Sequence, residues 1–222
     1  MINNKLNFFF KGQILHLGGI IILFYIGAQF ADLKNNANTF IGISALSWFI
    51  IAMAVPLVHQ AYTWLCWRSE LCWKLISNSI GFKGYLIGFF VLIISRFSAV
   101  VLCFVDYGSL YKPGWFAWIL AIIIFIPGVY TMYSVKKYFG FTRAAGADHF
   151  DLKYKTMPFE KRGIFKWSSN SMYFFGIAIP FAFATATGSQ SMFIVAAYSY
   201  IAIWLHYFCT EKEDFKVIYG NN

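Results

Sequence analysis

SMYFFGIAIPFAFATATGSQSMFIVAAYSYIAIWLHYF, residues 171–208, is almost free of charge. At a helical rise of about 1.5 Å per residue it is too long for one crossing of a hydrocarbon core roughly 30 Å thick. Near its middle stand Thr185-Ala186-Thr187-Gly188-Ser189-Gln190. A polar, glycine-containing stretch between two apolar arms predicts a turn, so Ser171–Phe208 reads as a helical hairpin, with Pro180 weakening the first arm.

Upstream lie four more apolar runs: Ile14–Phe30, Phe40–Trp67, Ile80–Val105 and Trp115–Tyr133. Runs of about 18 apolar residues or more read as membrane-spanning helices. The chain of 222 residues is 59% apolar and only 12% charged, whereas a soluble domain carries about 25% charged residues. The expected fold is therefore all-α and integral to the membrane, with four spans plus the C-terminal hairpin, about six crossings in all. One membrane domain is expected over 1–222, its four-span part at 1–133 and its loop, hairpin and acidic tail at 134–222. Lys5 and Lys11 precede the first run as they do in a secretory signal. That run is longer than a usual signal core and no small-x-small site follows it, so a retained span is expected.

Charge gives the orientation. Lys5, Lys11, Arg68, Lys74, Lys83, Lys136, Lys137, Arg143, Lys153, Lys155, Lys161, Arg162, Lys166, Lys212 and Lys216 all fall on one side of the crossings. Of the 18 Lys and Arg, only Lys34 and Lys112 fall opposite, and Arg96 lies inside a span. Because basic residues collect on the cytoplasmic side, both termini are expected there. The net charge of +9 is thus largely a topology signal. Basic residues placed beside spans, with no separate domain, also argue against a nucleic-acid partner. Cys66, Cys72, Cys103 and Cys209 form no CxxC pair, so no metal site is expected. His16, His59 and His206 lie in apolar helices, yet no spacing singles out a haem-ligating pair.

Polar chemistry collects in Ser134–Asn170 and in the tail Thr210-Glu211-Lys212-Glu213-Asp214. Both read equally as solvated edges. Asn170 stands where a helix-capping residue would, and carboxylates at a helix C-terminus are electrostatically misplaced unless they bind something or the helix continues. Arg96, deep in a span, is expected to face the bundle interior, paired to an acid or lining a wet cavity.

Three segments carry a resemblance: GFTRAAGADHF from Gly140, MPF at Met157–Phe159, and NSMYFFG from Asn170. In order and spacing they are similar to the phospholipid methyltransferase family, of the phosphatidylethanolamine N-methyltransferase type. Asp148, Phe150, Asn170, Met172, Tyr173, Gly176 and Glu211 match its motif positions, and Tyr219-Gly220 follow Glu211 as in the wider superfamily of isoprenylcysteine carboxyl methyltransferases and sterol reductases. The chain departs from the pattern at Arg143 (Gly in the family), Ser171 (Pro) and Lys212 (a second Glu).

The resemblance implies S-adenosyl-L-methionine as methyl donor and a membrane lipid amine as acceptor. It implies a donor site around Gly140, Thr142, Gly146, Asn170, Tyr173, Glu211 and Glu213, with Asp148 or His149 as base. Arg143, Arg162 and Arg96 are candidates for the lipid phosphate. A carboxyl methyltransferase of the isoprenylcysteine type would show Arg-His-Pro at Ser169-Asn170-Ser171. The same residues leave open a sterol-reductase-like nicotinamide enzyme and a non-enzymatic transporter or haem- or quinone-associated subunit. No internal repeat supports a transporter.

Overall fold

The computed structural model describes residues 2–33, 36–158 and 160–220. Lys34, assigned above to the opposite loops, and Phe159 of the Met157–Phe159 motif lie outside the described residues. The chain is a bundle of apolar helices. A short α1 (Ile2–Phe10) turns at Gly12 into α2 (Gln13–Phe30), then come α3 (Ala45–Trp73), α4 (Gly81–Val105), α5 (Trp115–Phe139), α6 (Met172–Thr187) and α7 (Gln190–Tyr219). Among the described residues five helices are long and apolar enough to cross a membrane, Asn4–Phe30 counting as one, and α6 is shorter. This is a multi-pass membrane protein. Its outer surface agrees: Ile14 is 91% exposed and Trp115 76%, an arrangement that only an apolar solvent makes favourable around so many helices.

The long C-terminal run folds as the expected hairpin. Gly188 ends α6 in the left-handed region at φ 59°, and Ser189 caps α7 by accepting from Met192 N–H. An added Cβ on Gly188 would lie 2.1 Å from the Tyr111 carbonyl oxygen. The connection between α4 and α5 is bonded to this turn, with Gly108 N–H donating to Thr187 O and Leu110 N–H to Gly188 O, each at 2.9 Å. Buried Asp106 also accepts from both Ser189 and Ser191 hydroxyls. Gly188→Ala combines left-handed strain with a backbone collision and is expected to cost about 2 kcal/mol or more. Thermal unfolding in detergent would measure it; an unchanged midpoint would contradict the tight turn.

Several helix limits differ from the hydropathy reading. The run from Phe40 does not begin as helix: Thr39–Phe40 (β1) pairs antiparallel with Ile43–Ser44 (β2), Thr39 opposite Ser44 and Phe40 opposite Ile43. Ile41 and Gly42 take positive φ at the turn, and Ser44 then caps α3 by accepting from Ser47 N–H. At its other end α3 runs past Trp67 through Arg68 and Glu70, both fully buried. Charge did not stop it because internal partners satisfy those groups. The acidic tail is likewise helical and continues α7.

Three helices widen to i→i+5 hydrogen bonding over one turn: α5 at Val135–Phe139, α6 at Met172–Gly176 and α7 at Tyr207–Glu211. Such turns are rare and often accompany functional sites. The apolar core lies towards the opposite end of the bundle, where Ile20, Phe49, Met53, Leu102, Met192 and Val195 pack together.

Candidate active site

A cavity of about 270 Å³ opens between the helices. On α3 the side chains at positions 59, 60, 63 and 67 face it, a stripe at helical spacing of His, Gln, Thr and Trp. On α4 the corresponding residues are Phe89, Phe90, Ile93 and Arg96. The widened turns complete the wall with Val135, Met172, Tyr173 and Glu211. Most of the lining is apolar, so each polar atom in it has few alternatives to a ligand.

Glu211 is 9% exposed and accepts a hydrogen bond from the Tyr173 hydroxyl. Tyr173 is held in turn by ring contacts with Trp204 at 5.9 Å and Tyr207 at 5.5 Å between centroids. No cation neutralises Glu211 among the described ion pairs. Arg96 Nε donates to His59 Nδ1 at 3.1 Å. Three buried atoms of lining residues find no hydrogen-bond partner among the described residues: His59 Nε2, Gln60 Nε2 and His206 Nδ1. A buried polar group left unpaired costs roughly 1–3 kcal/mol, so three on one wall mark a place prepared for a polar guest.

Of the residues singled out in the sequence, Tyr173, Glu211 and Arg96 meet in this wall. Asp148, His149 and Gly146 gather behind it. The His149 ring stacks on Trp67 at 4.2 Å, its Nε2 lies 3.2 Å from Asp214 Oδ2 and its Nδ1 3.1 Å from Gly146 O. Gly146 has φ 84°, and an added Cβ would lie 2.4 Å from the Trp67 indole, so packing alone demands glycine there. Asp148 Oδ1 lies 3.5 Å from Arg143 Nε, and Asp148 accepts from the Tyr219 hydroxyl. Burial pushes the Asp148 carboxyl above its usual range, against the pull of the Arg143 guanidinium.

The remaining candidates stand apart. Gly140 opens the short helix that carries exposed Thr142 and buried Arg143. Asn170 does not cap the following helix with its side chain; its carbonyl accepts from Tyr173 N–H at 2.9 Å, and that start has no side-chain cap. Glu213 bridges Lys11 at 2.6 Å and Lys216 at 2.5 Å, tying the tail to the N-terminal segment. Arg162 is exposed, bonded to Glu160 through Nε at 2.9 Å and a terminal nitrogen at 2.8 Å, and it holds the Glu160 carboxyl down at about 2. His59, Gln60, Thr63, Trp67 and His206 were not proposed as a site from sequence. The signal was present in α3, where positions 59, 63 and 67 repeat every four residues along one face of an apolar helix.

The phospholipid methyltransferase family model matches residues 116–222. Residues 116–222 are thus similar to the phospholipid methyltransferase family. No curated protein and no solved structure matches the chain. The matched phospholipid methyltransferase region holds Tyr173, His206 and Glu211, while His59, Gln60, Trp67 and Arg96 come from helices before it. Among the described residues there is no group of His, Cys, Asp and Glu able to hold a metal ion.

Proposed function

We propose that this protein transfers a methyl group from S-adenosyl-L-methionine to the headgroup amine of a phospholipid such as phosphatidylethanolamine, with the cavity as the reaction site. The observation that carries the reading is Glu211, a buried carboxylate without a neutralising cation among the described residues, facing a mostly apolar cavity inside the family-matched region. A buried anion calls for a cation, and the donor is a sulfonium bearing an ammonium group. The residues present therefore fit it: Glu211 and Tyr173 would hold its cationic part, and Gln60 Nε2 is a free donor for its polar edge.

Bound S-adenosyl-L-methionine supplies a methyl carbon on a sulfonium that leaves as a neutral thioether. The amine lone pair would form the N–C bond as the S–C bond breaks, the S–C electron pair staying on sulfur. The protein's part is to align the two in a water-poor space and to take the proton that a lipid ammonium must first lose. His149 is separated from the cavity by Trp67. His59 Nδ1 already accepts from Arg96. Among the histidines of the wall that leaves His206, whose Nδ1 has no partner among the described residues, as the acceptor we assign to that proton. His206→Gln is expected to lower kcat about 100-fold with donor affinity unchanged, measured by single-turnover methylation and calorimetry.

The widened turns and the basic residues share one end of the bundle. By the distribution of Lys and Arg this end faces the cytoplasm, where the donor is dissolved, in a bacterial inner membrane or an organellar one. The test is saturable binding of labelled S-adenosyl-L-methionine to purified protein, followed by methyl incorporation into phosphatidylethanolamine in mixed micelles. No saturable binding would overturn the reading, and binding of reduced nicotinamide in its place would favour the reductase branch.

A further inference from the structure

We infer that Arg96 and His59 form an oxyanion subsite that holds the phosphodiester of the acceptor lipid; the assignment rests on the methyl-transfer reading above. Arg96 lies within span α4, where the helix tightens to 3₁₀ geometry over Arg96–Val101. Among the described residues no carboxylate lies within ion-pair distance of it. A guanidinium in a span is costly and is ordinarily matched by an acid or by a substrate path. Here its protein partner is a neutral ring, through the 3.1 Å bond from Nε to His59 Nδ1.

That bond fixes the proton on His59. Arginine only donates, so Nδ1 accepts and the ring hydrogen sits on Nε2. His59 Nε2 is buried and has no partner among the described residues, and His59 is one of the residues lining the cavity. Two donor side chains, one carrying a fixed positive charge, thus line the same cavity, and among the described residues His59 Nε2 has no acceptor. Such a pair matches an oxyanion and repels an ammonium.

The charges of the cavity also balance in only one arrangement of the two substrates. Glu211 contributes one negative charge and Arg96 one positive. The donor carries a net charge of +1, and an ethanolamine phospholipid with its amine deprotonated carries −1. Setting the donor at Glu211 and the phosphodiester at Arg96 leaves each charge opposed. The same field disfavours the ammonium form of the headgroup, so it favours release of the amine proton once the lipid is seated. Arg96 and His59 precede residue 116, outside the family-matched region. Acceptor recognition is thus built by the N-terminal spans.

The donor's own carboxylate is the other oxyanion of suitable chemistry, and the experiment separates the two. Wild-type protein is assayed with phosphatidylethanolamine in the presence of phosphatidylglycerol or diacylglycerol. Competitive inhibition by phosphatidylglycerol, and none by diacylglycerol, is expected. In R96Q the KM for phosphatidylethanolamine should rise at least tenfold and inhibition by phosphatidylglycerol should vanish, with donor affinity within twofold of wild type; R96K should recover part of the loss. Equal inhibition by diacylglycerol would overturn the assignment without needing a folded variant. A fall in donor affinity in R96Q with unchanged lipid KM would also overturn it and give the oxyanion to the donor. Failure of the wild type to bind S-adenosyl-L-methionine would remove the underlying reading instead, a result distinct from either.

Discussion

Asp214→Ala is expected to destabilise the protein by about 3–5 kcal/mol, the cost of leaving one member of a buried ion pair without the other. Arg68 and Asp214 side chains are both fully buried and ion-paired. The guanidinium also donates to the Phe8 and Lys11 carbonyls and to the Cys209 and Thr210 carbonyls, and it lies 4.2 Å from the Phe8 ring centroid. It therefore ties the N-terminal segment, α3 and the widened turn of α7 into one knot. Asp214 is its only anionic contact among the described residues, and the same carboxylate faces His149 Nε2 at 3.2 Å. Removing it strands a guanidinium that the surrounding carbonyls solvate but do not neutralise. Thermal or denaturant unfolding in detergent micelles measures the loss. Glu213→Gln is the comparison, since its partners Lys11 and Lys216 are 60% and 48% exposed; that change is expected to stay below about 1 kcal/mol. A similar small effect for Asp214→Ala would mean that the buried pair contributes far less than its geometry implies.

The second large effect separates function from stability. Glu211→Gln preserves shape and the Tyr173 hydrogen bond but removes the charge. Hydrogen bonds to charged groups contribute about 1.5–3 kcal/mol, so affinity for S-adenosyl-L-methionine should fall roughly 10- to 100-fold, with methyl transfer falling at least as far. The folded protein should meanwhile be as stable as wild type or more so, because it no longer buries an uncompensated carboxylate. Isothermal titration with the donor, beside unfolding of the ligand-free protein, reads both quantities. A loss of stability together with a loss of affinity would make Glu211 a structural member of the bundle.

The architecture was legible because a membrane simplifies the code. Apolar runs of spanning length and a glycine-bearing polar interruption lead directly to α2 through α7, including the turn at Gly188 and Ser189. Helix ends were less legible. Arg68 and Glu70 read as the edge of a span by hydropathy, yet both are enclosed by partners beyond that helix, Asp214 for one and Ser77 for the other. The site was half legible. Tyr173, Glu211 and Arg96 stood out as polar groups in or beside apolar helices, and the structure brings them to one wall. Asp148 and His149 belonged to the matching segment, but Trp67 stands between His149 and the cavity, and no local pattern reveals an indole supplied by another helix. His59 and His206 were visible only as isolated polar residues. Their meaning depends on which atoms lack partners, a property of three-dimensional packing alone.

The three widened turns have a mechanical consequence. Each replaces the close-set α ladder with longer i→i+5 rings, and all three lie at the same end of the bundle. The other end is pinned by Asp106, the Gly188 turn and the strands of backbone bonded to it. The hairpin and its neighbours are thus stiff at the joint, and of the three tips the turn of α7 is held by Arg68 while those of α5 and α6 are the looser ones. Backbone amides of Val135–Phe139 and Met172–Gly176 should exchange with deuterium sooner than those deeper in the same helices. Lipid entering from the side would need to part only those tips, leaving the joint closed.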